Sequence, residues 1–160
     1  TDENYKPLVD EIMEFVKHLN LDVKDMQIAQ LWANVNRKND YKIIHQHGQY
    51  SLSGTYYVKV PEDSGRIVFR DPRPGAMGNN FLVSNFDKGE FKKLSIMEGL
   101  LAIWPSYLDH LVEPSNTDEE RISISFESDN ADISLIILIL YGSNSFMTSD
   151  FMLSIEIGMS

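Results

Sequence analysis

The sequence predicts a mainly β domain, a β-sandwich or small barrel, carrying one α-helix near its start. Two observations lead there. Apolar residues recur at helical spacing in one place only, at Leu8, Ile12, Phe15, Val16 and Leu19. Beyond Asn20 the pattern changes to short stretches rich in Val, Ile, Thr, Tyr and Phe, separated by turn residues. A third observation bounds the size. The chain has 160 residues, of which 42% are hydrophobic and 24% charged, which suits one globular domain with its own core. No internal repeat or low-complexity tract interrupts it.

The helix is expected over residues 7–19, with Pro7 in the first turn, where a missing N–H costs nothing. His18 belongs to this helix and receives no role. Strands are expected at Met26–Asn36, Tyr41–His47 and Ser51–Val60. Pro61-Glu62-Asp63-Ser64-Gly65 reads as a turn, from which Arg66–Arg70 returns as a strand. Asp71–Asn80 holds two prolines and two glycines and reads as a loop. Lys93–Ile96, Leu100–Trp104, Arg121–Phe126 and Ile133–Tyr141 complete the strands, with Ser145–Ile157 as a further candidate.

Composition excludes several classes. There is no cysteine, so disulfides, zinc–thiolate sites and iron–sulfur clusters are absent. The formal net charge is −10 and the pI about 4.7, a balance that repels phosphate backbones and argues against nucleic-acid partners. The longest apolar run, at residues 133–141, is far shorter than the ~20 residues of a membrane helix. Thr1-Asp2-Glu3-Asn4 is acidic, unlike the start of a secretory signal. The reading is a protein of the cytoplasm, without membrane or nucleic-acid partners.

Chemistry concentrates at the histidines. Residues i and i+2 of a strand point to the same face. If His45 and His47 share a strand, both imidazoles face one cavity, and His110 from a distant strand completes a metal site. Imidazole suits iron, zinc, copper and nickel alike.

Further motifs accompany the histidines: Trp32-Ala33-Asn34-Val35-Asn36, Leu52-Ser53-Gly54-Thr55-Tyr56-Tyr57, Trp104-Pro105-Ser106, His110-Leu111-Val112 and Arg121-Ile122-Ser123-Ile124-Ser125-Phe126. In this order they resemble the 2-oxoglutarate and Fe(II)-dependent oxygenases of the prolyl-hydroxylase-like branch, and most closely a family found in bacteria and marine phages. The likeness covers residues 26–126, leaving helix 7–19 and a strand-rich C-terminal part, 127–160, of a single domain 1–160. It implies a double-stranded β-helix, or jelly roll, with Fe(II) bound inside one end. The implied reaction couples decarboxylation of 2-oxoglutarate to oxidation of a second, unidentified substrate, slightly favoured to be a protein or peptide. His45, His47 and His110 match the metal ligands. Arg121 matches the base that pairs with the distal carboxylate of 2-oxoglutarate; Ser123 and Tyr57 match hydroxyls that reach the same group. The host's cytoplasm would be the location if a phage encodes the chain.

His47 departs from the pattern, because most of the superfamily has an aspartate or glutamate there. Three neutral imidazoles leave the metal one unit more positive, which makes zinc, nickel and copper more credible occupants. Asp109, beside His110, and Asp71 are carboxylates that could substitute, although Asp109 on a strand would point away from His110 and the loop position of Asp71 favours a turn role. Arg73, in the loop after Asp71, and Asn36 are candidates for the substrate rim. Two alternatives stay open: a cupin-like metal protein that does not use 2-oxoglutarate, and a non-catalytic β-barrel binding module. Residues 133–141 could complete the outer sheet or lie in a homodimer interface.

Overall fold

The computed structural model describes residues 5–18, 26–70, 91–129 and 139–142. Among these described residues one helix, α1 (Lys6–His18), precedes nine strands. They are β1 (Gln27–Asn36), β2 (Lys42–His45), β3 (Leu52–Lys59), β4 (Ile67–Arg70), β5 (Phe91–Lys93), β6 (Leu100–Pro105), β7 (His110–Val112), β8 (Arg121–Asp129) and β9 (Ile139–Gly142). Five form one sheet in the order β1-β8-β3-β6-β9, and four form a second in the order β2-β7-β4-β5. Every pairing is antiparallel. Successive strands thus alternate between sheets over much of the chain, which is the topology of a double-stranded β-helix.

The central strands β3, β6 and β8 of the larger sheet are largely covered on both faces and divide their residues accordingly. The outer face of this sheet carries Leu52, Leu101, Ile103 and Phe126, covered by Ile12 of α1 and flanked by Leu8, Met13 and Phe15. The helical stripe read from the sequence is therefore the face that closes this core. Gly54 sits directly opposite Phe126, and a Cβ there would lie 2.2 Å from the ring. Only glycine lets that ring lie flat on the strand. The inner face meets the smaller sheet through Ile67, Phe69, Ala102, Trp104 and Leu108.

Expected and observed elements differ mainly at four places, one being β8, expected to end at Phe126 but running on to Asp129. The second strand stops at His45 rather than His47, because residues 48–50 turn and the His47 N–H bonds across to Ser106 O at 2.7 Å. The strand expected at Lys93–Ile96 is Phe91–Lys93, its position set by pairing with β4. The short strand β7 was not among the expected strands, yet it pairs with both β2 and β4. The loop Asp71–Asn80 with Arg73, the helix end at Leu19, and most of residues 133–157 lie outside the described residues. No helix among the described residues is long and apolar enough to cross a membrane.

Candidate functional site

The facing sheets leave a cavity of about 370 Å³, and all three clustered histidines line it. His45, at the end of β2, is the direct cross-strand partner of His110, at the start of β7. Their ring centroids lie 4.3 Å apart. His47 follows two residues beyond β2, its backbone pinned at both ends: N–H to Ser106 O, and C=O to Tyr50 N at 2.9 Å. Its ring stands 5.0 Å from His45 and 5.3 Å from His110. One ring nitrogen from each lies within 4.8 Å of the others.

The tautomers follow from the partners. His45 Nδ1 lies 2.7 Å from Ile43 O, and His110 Nδ1 lies 2.9 Å from Leu108 O. A carbonyl only accepts, so both Nδ1 atoms carry the proton and each Nε2 keeps a free lone pair. His47 Nδ1 lies 3.1 Å from Glu127 Oε1. Burial, opposed by the Leu108 carbonyl and reinforced by the neighbouring imidazoles, pushes His110 down to about 4. Burial and then His45 also lower His47. Both rings thus stay neutral, as metal ligation requires.

Glu127 is 2% exposed. Its Oε2 accepts from Ser53 Oγ at 2.6 Å and from Ser106 Oγ at 3.3 Å. Burial pushes its carboxyl up to about 7, against the stabilising effect of those two hydroxyls.

Arg121, Ser123, Ser125 and Glu127 face the cavity in alternation along β8. Register aligns each with polar neighbours: Asn36 beside Arg121, Asn34 and Tyr57 beside Ser123, Trp32 and Thr55 beside Ser125, Ser53 beside Glu127. A hydrogen-bonded row crosses this wall. Trp32 Nε1 donates to Asn34 Oδ1 at 3.2 Å, Asn34 Nδ2 donates to Ser125 Oγ at 2.9 Å, and Ser125 Oγ meets Thr55 Oγ1 at 2.9 Å. Arg121 is 3% exposed. One of its guanidinium NH2 groups donates to Gly65 O, while Nε has no partner. The acidic neighbours in sequence are engaged elsewhere, Glu119 with Lys59 and Glu120 with Arg37. Burial raises the Tyr57 hydroxyl to about 12, only partly countered by Arg121, so Tyr57 is a neutral donor.

Residues 30–127 match the family model described as "Putative 2OG-Fe(II) oxygenase". The chain belongs to this oxygenase family. Several solved structures share its fold. One is an oxidoreductase of the 2OG-Fe(II) oxygenase family from Burkholderia pseudomallei, at TM-score 0.52 and 15% identity over 66% of this chain and 45% of that one. A prolyl-4-hydroxylase from Pseudomonas putida gives 0.50 and 15%, over 76% and 63%. HygX from Streptomyces hygroscopicus, solved with nickel and 2-oxoglutarate, gives 0.56 and 11%, over 80% and 65%. The chain thus spans about half to two-thirds of the length of these structures. No curated protein matches it.

The donor set fits the metal and the co-substrate of a 2OG-Fe(II) oxygenase. Three imidazoles converge, with the Nδ1 atoms of His45 and His110 held by backbone carbonyls and that of His47 3.1 Å from Glu127 Oε1. Arg121 is a buried cation with an unpartnered N–H and no carboxylate partner among the described residues, which suits an incoming carboxylate. Asn36 lines the same cavity, and Arg73 lies outside the described residues. Asp109 forms an ion pair with Arg70 at 3.7 Å, well exposed, and does not line the cavity. Sequence reasoning missed Glu127. The alternation Arg121, Ser123, Ser125 carried one step further would have placed it on the cavity face.

Proposed function

We propose that this chain is a hydroxylase-type oxygenase dependent on 2-oxoglutarate and Fe(II), with His45, His47 and His110 as the metal ligands. The observation that carries the reading is the buried Arg121, which has no carboxylate partner among the described residues, in the same cavity as the three histidines. Arg121 would hold the distal carboxylate of 2-oxoglutarate as a fork, and the Tyr57 and Ser123 hydroxyls would satisfy its remaining lone pairs. When bound, Fe(II) supplies the electrons and open positions for O2 chemistry, with 2-oxoglutarate converted to succinate and CO2. The Nε2 lone pairs of His45 and His110 would face the metal, because the Ile43 and Leu108 carbonyls hold the Nδ1 atoms of the two rings. The walls exclude bulk water through Trp104 and Ile67.

The second substrate would enter past the open side of β2, where Tyr41 and Ile43 are 57% and 72% exposed. An apolar edge of this kind suits a peptide or protein segment, and a homodimer could use the same edge. The three-histidine donor set favours one alternative, a cupin-like metal protein that does not use 2-oxoglutarate. A single assay separates them: succinate formed from 2-oxoglutarate under O2 with Fe(II). Wild type forms succinate, and Arg121→Ala and His110→Ala each lower the rate at least tenfold. Wild type forming no succinate while still binding metal favours the alternative.

A further inference from the structure

We infer that Glu127 supplies, through His47, the negative charge that the three-histidine set lacks; this rests on His47 being a metal ligand. The carboxylate stands where it can do this. Its Oε1 lies 3.1 Å from His47 Nδ1, leaving Nε2 as the only nitrogen His47 can offer the metal. Its Oε2 takes hydroxyl hydrogen bonds from Ser53 and Ser106, so the carboxylate cannot swing. Ser106 also accepts the His47 N–H on its carbonyl. One residue thus fixes the imidazole from the backbone side and the carboxylate from the hydroxyl side. Ser53, Ser106 and Glu127 are each 2% exposed or less. A carboxylate in that setting is costly to bury without a compensating cation, and the described residues offer no lysine or arginine ion pair to it.

The chemistry is that of a carboxylate–histidine–metal relay. A carboxylate accepting from Nδ1 raises the basicity of Nε2 and delivers part of its charge to the metal without occupying a coordination position. The site therefore keeps three open positions while approaching the charge of a two-histidine, one-carboxylate site. Glu127 is a positioning residue here, since it acts on the metal only through His47.

The test uses the full chain and Co(II) alone, without co-substrate, titrated against a chelating dye at fixed pH. Wild type is expected to bind one Co(II). Glu127→Gln keeps the shape and removes the charge; it should bind 10–100-fold more weakly and shift the Co(II) ligand-field bands. Glu127→Asp keeps the charge and shortens the side chain, and should fall between the two. Ser53→Ala, which leaves the carboxylate in place, should lose less affinity than Glu127→Gln and guards against a folding defect. The order wild type, Asp, Gln supports the relay. Gln equal to wild type, or Asp weaker than Gln, overturns it, because shape rather than charge would then decide. Wild type that binds no Co(II) overturns both the relay and the metal site beneath it, and that result is seen before any variant is compared.

Discussion

At His47 three constraints meet: a backbone bond to Ser106, the Glu127 carboxylate 3.1 Å from its ring Nδ1, and imidazole neighbours on two sides. The carboxyl of Glu127 has a measurable consequence for the metal-free protein. Burial raises it from 4.5 to about 7, so the folded chain keeps a proton that the unfolded chain releases between those values. Its contribution is full below pH 4.5 and is lost as pH rises through 7, by roughly 3 kcal/mol. His110 works in the opposite sense. Its neutral form is favoured down to about 4, so its contribution is full above 6.5 and fades as pH falls. The two overlap, and a difference isolates Glu127: denaturant unfolding should show Glu127→Gln gaining on wild type as pH rises from 5 to 8. A difference that does not change with pH contradicts the burial of that carboxyl. Arg121 offers a second check. Lysine keeps the charge but not the fork, so Arg121→Lys should raise the KM for 2-oxoglutarate about tenfold to a hundredfold.

Strands place these residues, and the strands were unequally legible. Segments β1, β3, β6 and β8 are long and β-branched or aromatic, so periodicity exposed them. Strand β7 has only three residues and lies between turn residues; pairing with β2 and β4, not propensity, makes it a strand. The three clustered histidines and Arg121 were visible because their motifs are local, and they do line one cavity. Glu127 was not, because its meaning comes from sitting beside Ser53 in the β3–β8 register and beneath a histidine eighty residues away in sequence. Asn36, a candidate for the substrate rim, does line the cavity, and Asn34 two residues before it on the strand lines it too. At the same scale, Gly54→Ala should destabilise the fold by about 1–3 kcal/mol. Its Cβ would meet the fully buried Phe126 ring. Thermal unfolding measures it, and an unchanged midpoint would show that the ring can move.

For the whole molecule, the two sheets are joined across the cavity by side chains that a metal would tie together. His45 and His110 belong to the smaller sheet, while Glu127, which holds His47, belongs to the larger. Metal should therefore act as a clamp on the fold. At a hundredfold excess over Kd, ligand binding adds about 2.7 kcal/mol, which for a domain of this size raises Tm by roughly 5–10 °C. His45→Ala with His110→Ala should abolish that rise. The central claim, that one cavity holds both a metal and 2-oxoglutarate, is tested most directly by anaerobic absorption. Fe(II) and 2-oxoglutarate added together to the wild-type chain should give a metal-to-ligand charge-transfer band, and the band should be absent from Arg121→Ala and from His110→Ala at the same concentrations. No band in wild type, or a band that survives both substitutions together, would contradict it.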